Sequence, residues 1–257
     1  MKSTPHEFQL DQYMMHHVLD SQEWKLPFLP AIQIPEFASL HAIIMLLVAA
    51  ILIFIGCVLY KKDQRVPKGM TNVLELVVLF VRDQIARPAL GDEDGKKFTP
   101  ILCTFFTFIL MMNLIGMIPL FATATANINV TGALAFIILC FMTVGAIVRN
   151  GIHGFIHAIK PSGVPIPILF LIVPLEFVGI FIKAFALMIR LFANMLAGHM
   201  VILSLLGLVV LIGYAALPAV LLAVGISILE VLVAFLQAFI FTLLSAVFIG
   251  QMYHPEH

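Results

Sequence analysis

Apolar residues along this chain come in long runs whose length carries more information than their periodicity. Residues 37–60 contain no charged side chain, and neither do residues 98–148. A helix needs about 20 apolar residues to cross a bilayer, so the first run predicts one crossing and the second is too long for one. Asn127-Ile128-Asn129, followed by Gly132, breaks the second run and predicts two crossings, over 99–121 and 130–149. Downstream, residues 166–212 are apolar with no clear turn, Gly213 and Pro218 supply one, and a last apolar run covers 219–250. As a helix the 166–212 run would extend roughly 70 Å, about twice the ~30 Å hydrocarbon core. That length predicts either two short spans folded together or one long, strongly tilted helix.

Residues 70–90 have a different texture. Arg82, Asp83, Gln84 and Arg87 share the segment with Val77, Phe80, Val81 and Ile85, a mixture that predicts a helix lying in the interface plane and is apolar enough to allow a buried position. Asn72 and Glu75 have the spacing of a capping box. Residues 61–97 hold eight of the 14 cationic side chains, whereas the first 37 residues hold only Lys2 and Lys25. Cytoplasmic loops are enriched in Lys and Arg, so the N-terminus is expected outside, the Arg149–Pro165 loop inside and the C-terminus cytoplasmic. The expected fold is an all-α integral membrane protein: one N-terminal transmembrane helix, an interfacial helix, and hairpins of transmembrane helices with the last two long and tilted. An N-terminal extracytoplasmic segment (1–37) precedes a single polytopic membrane domain (38–257).

Composition agrees. Of 257 residues 62% are hydrophobic and only 11% charged, with mean hydropathy +1.10, against about half and a quarter in soluble domains. Soluble enzymes and disordered chains are excluded, and 14 acids balancing 14 cations give no sign of nucleic-acid binding. The first 37 residues carry five acids and no apolar run, which predicts no cleaved leader there. Cys57, Cys103 and Cys140 each lie in an apolar run without CxxC spacing and read as small buried hydrophobes. His153 and His157 have i, i+4 spacing but no matching carboxylate, a weak case for a metal. His6, His16 and His17 read as solvated. No phosphate loop, nucleophile motif or zinc signature is present, so no catalytic residue, metal or cofactor is assigned.

Charge inside the spans is rare and therefore informative. The exceptions are Glu176, Lys183, Arg190 and Glu230, with His199 beside them. A charge at mid-bilayer costs roughly 3 kcal/mol or more, so such residues are functional candidates. Glu176, Lys183 and Arg190 are seven apart and Asn194 lies four beyond, which puts them on one helical stripe. Glu230, Gln237 and Gln251 share a face of the next run. Folding the two runs about Gly213 as an antiparallel hairpin brings Arg190 level with Gln237, Lys183 with Ser245, Glu176 with Gln251 and His199 with Glu230. His199, nine residues past Arg190, points about 180° away from it, which suits two separate aqueous pathways. Arginine stays protonated: it is a fixed charge that can hold a carboxylate ionised and block proton hopping. His199 and Glu230 can both change protonation. Glu176 and Lys183 also fit structural or snorkelling roles, and Arg190 with Glu230 would fit a structural ion pair.

The stretch Met188-Ile189-Arg190-Leu191-Phe192-Ala193-Asn194-Met195-Leu196-Ala197-Gly198-His199 resembles the signature of subunit a of F-type ATP synthases. So do Leu236-Gln237-Ala238-Phe239-Ile240-Phe241, Pro174-Leu175-Glu176-Phe177 and Met112-Asn113-Leu114-Ile115-Gly116-Met117-Ile118-Pro119; the resemblance covers about 98–250. It implies a non-catalytic stator subunit whose long tilted hairpins wrap beside a ring of c subunits, with Arg190 facing the ring carboxylate between two proton half-channels. Asn194, Gln237, His199 and Glu230 map to helpers of proton translocation; Asn113, Glu176, Lys183, Ser245 and Gln251 are accessory polar positions. Implied partners are the c-ring, the peripheral-stalk b subunits, the rest of the ATP synthase and membrane lipid, most naturally in a bacterial plasma (inner) membrane. Many bacterial members carry Glu at the position of His199 and His at that of Glu230; this chain has the exchanged pair, as mitochondrial members do. Many also carry Asp where this chain has Gly116. A stand-alone secondary ion transporter using the same polar seam, or a non-conducting scaffold, is the competing expectation.

Overall fold

The computed structural model describes residues 23–24, 32–33, 39–59, 69–118, 123–160, 165–213 and 217–253. His6, His16, His17 and most of the expected extracytoplasmic segment lie outside them. Two-residue strands Glu23–Trp24 (β1) and Ile32–Gln33 (β2) form a minimal antiparallel ladder; the other described elements are helical. Among the described residues, five helical stretches are long and apolar enough to cross a membrane.

Helix α1 (Leu40–Phe54) starts where Ser39 Oγ accepts a hydrogen bond from the Ala42 N–H at 3.2 Å, and it continues as a π-helical stretch, Ile55–Leu59. Helix α2 (Met70–Phe80), a π-helical stretch Val81–Ala86 and α3 (Arg87–Gly116) follow without a loop. The backbone is broken at Gly91, with φ 78° and ψ 178°. Only glycine adopts that conformation readily, so the sequence itself sets the hinge between the 70–90 helix and the crossing that begins after it. The crossing ends at Gly116, short of the expected 121. The expected capping box does not form: Gly69 stands at the N-cap of α2 with no side-chain cap bond, and Asn72 lies inside the helix.

A 3-10 turn, Ala124–Ala126, leads to α4 (Ile128–Cys140). The Asn-Ile-Asn break is the start of α4: Asn127 Oδ1 accepts from the Asn129 N–H at 2.9 Å, the usual N-cap solution for an orphan donor. A π-helical stretch, Phe141–Gly145, joins α4 to α5 (Ala146–Ile159), whose backbone is broken at Gly151, with φ 70° and ψ 175°, close to the expected end at 149. Residues 166–212 form one uninterrupted helix of 47 residues, α6 (Ile166–Ile212), rather than two folded spans. Helix α7 (Leu217–Tyr253) has 37 residues.

Packing centres on α7, which lies against both α3 and α6, while α4 covers the other side of α6. Lipid tails are as apolar as leucine, so membrane helices associate through close packing at small residues rather than through a hydrophobic driving force. Helix α7 meets this demand with fully buried Ala234, Ala238 and Ala246, and a Cβ on Gly250 would overlap the Ala89 carbonyl oxygen. Phe106, Phe241, Leu102, Ile109 and Met112 fill the interior. Large apolar side chains point outward instead, with Phe170 86% and Leu221 76% exposed, which is stable against lipid and not against water. None of the cysteines is fully buried: Cys57 is exposed, and Cys103 and Cys140 are half-buried, Cys103 packing against the core.

Candidate functional site

The polar seam expected between the last two helices is present. Nearest the turn, Glu230 packs on Gly198, whose missing Cβ would lie 2.7 Å from Glu230 Oε1. One turn back along α6, Asn194 Nδ2 donates to Gln237 Oε1 at 2.9 Å. Farther still, Lys183 Nζ donates to Gln251 Oε1 at 3.1 Å and to Glu176 Oε1 at 3.2 Å. As the residue number falls on α6 it rises on α7, so the hairpin is antiparallel.

At two of the expected levels the hydrogen bonds are to other residues. Gln237 bonds Asn194, one turn beyond Arg190. Lys183 passes Ser245 and reaches Gln251; Ser245 is buried and its hydroxyl donates to the Phe241 carbonyl at 2.7 Å. The long lysine stem explains the second slip: its ammonium runs along the helix to the more polar level, passing within 5.7 Å of the Phe248 ring centroid.

Arg190 precedes Asn194 by one turn on the same stripe. Its Nη1 is buried and makes no hydrogen bond among the described residues; the same holds for Gln237 Nε2, Asn113 Oδ1 and both Glu230 carboxylate oxygens. Asn113 is fully buried on α3, and its Nδ2 donates to the Ala234 carbonyl at 3.4 Å. It joins the seam across the α3–α7 interface. His199 is buried next to the Gly198–Glu230 contact. Along the unbroken helix Arg190 lies roughly 21 Å from Glu176 and roughly 14 Å from His199, with His199 turned about 180° around the axis. Two polar groups therefore flank one arginine, at opposite ends of the hairpin.

Two further polar clusters escaped the sequence reading. At the end of the bundle where α1 and α4 begin, His41 is buried and its Nδ1 lies 3.4 Å from Asn127 Nδ2. The hint was a lone histidine opening a charge-free run. At the other end, Arg149 pairs with Asp94, which is 2% exposed, and Lys97 Nζ stands 3.7 Å from the same carboxylate oxygen. The Arg149 guanidinium lies over the Tyr253 ring at 5.3 Å, and Asn150 Nδ2 donates to the Tyr253 carbonyl at 3.1 Å. No spacing rule links residues 94, 149 and 253, so only the fold reveals this knot.

Gly116 packs against Thr123: a Cβ would lie 2.8 Å from Thr123 Cγ2, and the Thr123 hydroxyl donates to the Gly116 carbonyl at 3.0 Å. Among the described residues no three His, Cys, Asp or Glu side chains are grouped to hold a metal. His153 is exposed, and the side chain of His157 lies outside the described residues.

A family model described as ATP synthase A chain matches residues 42–250. The chain is 45% identical to the ATP synthase subunit a of Chloroherpeton thalassium, over 95% of this chain and 77% of that protein. It is 40% identical to that of a strain of Anaeromyxobacter dehalogenans, over 95% and 71%, and 43% identical to that of Myxococcus xanthus, over 84% and 75%. The matched region contains the α6–α7 seam apart from Gln251.

Proposed function

Because this chain belongs to the ATP synthase subunit a family, we propose that it carries protons past a rotating ring of c subunits through two aqueous half-channels separated by Arg190. Members of the family are non-catalytic membrane subunits, and the ATP chemistry lies on other subunits of the complex. The observation that carries the reading is the Asn194–Gln237 bond one turn from an arginine whose Nη1 is buried without a hydrogen bond among the described residues. A buried charge lacking a partner is costly, and a ring carboxylate arriving from outside this chain would supply one.

The steps follow from protonation chemistry. A proton entering beside His199 and Glu230 neutralises a ring carboxylate, which can then pass through lipid without its charge penalty. On returning, the carboxylate meets Arg190. The fixed positive charge favours the ionised form, so the proton leaves toward Glu176, Lys183 and Gln251. Arginine cannot release its own proton, so the two pathways do not short-circuit. Each proton crossing 100 mV supplies about 2.3 kcal/mol. Asn113 and Ser245 complete the polar lining.

The same reading places the 70–90 helix at the membrane interface, α6 and α7 tilted so that roughly 70 Å and 55 Å of helix fit a ~30 Å core, and the Lys/Arg-rich 61–97 segment on the cytoplasmic side of a bacterial inner membrane. Peripheral-stalk b subunits would hold the chain against the ring. No observation favours a stand-alone transporter.

The test is ATP-driven acidification of inverted vesicles carrying Arg190→Ala, with complex assembly measured in the same membranes. Pumping should disappear while the complex stays assembled. Unchanged pumping would make Arg190 structural and the mechanism wrong.

A further inference from the structure

The last turn of α7 is held from one side and reaches the polar seam from the other. On the held side, Met252 and Tyr253 are buried. Asn150 Nδ2 on α5 donates to the Tyr253 carbonyl at 3.1 Å and to the Met252 carbonyl at 3.4 Å. The Tyr253 ring meets Phe98 of α3 edge to face, with centroids 5.4 Å apart, and lies under the Arg149 guanidinium. Its hydroxyl occupies the space that a Cβ on Gly145 would need, and Gly250 packs on the Ala89 carbonyl.

Gln251 differs from its neighbours in this turn. It is exposed, and its Oε1 accepts from Lys183 Nζ on α6 at 3.1 Å. Side chains two residues apart point about 200° apart around a helix axis, so the contacts that fix Tyr253 against α3 and α5 turn Gln251 toward α6. Lys183 Nζ also donates to Glu176 Oε1 at 3.2 Å. A lysine ammonium sits on a flexible four-carbon stem, and two fixed acceptors hold this one in place. Arg190 lies seven residues along the same stripe, roughly 10 Å farther on. Released from Gln251, the ammonium is free to swing into the space between Lys183 and Arg190. A second positive charge there would repel a proton crossing between Arg190 and the Glu176 end of the seam.

We propose that Tyr253 is a positioning residue for ion transfer: with Asn150 it aims Gln251 at Lys183, which keeps the lysine ammonium beside Glu176 and out of the proton's path. The inference rests on the ion-transfer reading proposed above. It gives the α3–α5 wall, which touches no part of that path, a role in keeping its Glu176 end open.

ATP-driven acidification of inverted vesicles is measured for Gln251→Leu, Tyr253→Ala and the double variant, each normalised to assembled complex. Each single variant removes positioning worth one hydrogen bond, so pumping should fall about fivefold. Because Tyr253 acts through Gln251, the double variant should pump no worse than either single one. Tyr253→Phe keeps the ring between Phe98 and Arg149 and should restore pumping. Asn150→Ala, which releases the same turn, replaces Tyr253→Ala in the cycle should that variant fail to assemble. Undiminished pumping by Gln251→Leu, losses that multiply in the double variant, or a Tyr253→Phe chain as poor as Tyr253→Ala would each overturn the proposal. Arg190→Ala in the same preparation separates the two readings. Normal pumping by Arg190→Ala would bring down the ion-transfer reading itself; no pumping by Arg190→Ala, together with losses that multiply, would bring down only the role of Tyr253.

Discussion

Asn194 Nδ2 lies 2.9 Å from Gln237 Oε1, and this bond ties the middle of α6 to a residue of α7 that is 2% exposed. It fixes the orientation of the Gln237 amide: with the oxygen engaged by Asn194, the Nε2 atom is directed elsewhere in the seam. Gln237→Leu keeps the volume and removes the acceptor. A hydrogen bond is worth about 1 kcal/mol net, so the complex should assemble normally. If the bond orients the seam during ion transfer, the same energy lowers ATP-driven acidification about fivefold. Normal pumping by Gln237→Leu would reduce the bond to packing.

The Glu230 carboxylate sits against the backbone at Gly198, adjacent to His199. On the proposed shared pathway, each single exchange, His199→Glu or Glu230→His, leaves two like groups where one imidazole and one carboxylate stood, which disfavours charging both. The double exchange restores one imidazole and one carboxylate. Both singles should pump poorly, and the double variant should recover several-fold over either. Additive losses in the double variant, measured as vesicle acidification per assembled complex, would separate the two residues.

Gly116 gives a steric test. Its absent Cβ leaves room for Thr123 Cγ2, which would stand 2.8 Å away. Gly116→Asp therefore overpacks the turn, at a cost of about 1–3 kcal/mol, and should lower the amount of assembled complex recovered from membranes. Combining it with Thr123→Gly removes the clash and should restore assembly. A Gly116→Asp chain that assembles as well as the parent would show that the turn yields freely.

What the sequence could and could not disclose follows from the range of the interactions. Span positions were legible because charge exclusion is a property of each residue alone, and the stripe Glu176–Lys183–Arg190–Asn194 was legible because helical spacing is local. The choice between two folded spans and one long α6 was open, since no local signal distinguishes a buried bend from continuous apolar helix. Register across the hairpin was legible: Gly198 meets Glu230 and Glu176 shares Lys183 with Gln251, although Lys183 itself reaches Gln251 instead of Ser245. Side-chain length, which index arithmetic ignores, accounts for the slip. The capping box at Asn72 failed because the helix starts earlier, at Met70, which leaves Asn72 inside it. Asp94 stands in no spacing pattern, and its burial depends on Arg149, far away in sequence.

That burial makes Asp94 and Arg149 unequal partners, and the inequality can be measured. Asp94 is 2% exposed, whereas the Arg149 side chain is 35% exposed. Removing one member of a buried pair costs about 3–5 kcal/mol because the other charge is stranded. Arg149→Gln strands the carboxylate in the interior with only Lys97, 3.7 Å away, as partial compensation. It also removes the cation above Tyr253 and loosens the end of α7. Asp94→Asn strands an arginine that can turn toward solvent, and the asparagine oxygen can still accept its hydrogen bond. Arg149→Gln should therefore lower the thermal stability of the assembled complex more than Asp94→Asn does, with losses toward about 3 kcal/mol and about 1 kcal/mol respectively. Asp94→Leu combined with Arg149→Met, which replaces the pair by apolar groups, should lie closer to the parent than Arg149→Gln. Heating the purified complex and following loss of this chain from it gives the order directly. Equal losses from the two single variants, or a double variant worse than both, would mean that the pair behaves as a surface ion pair and does not anchor α7.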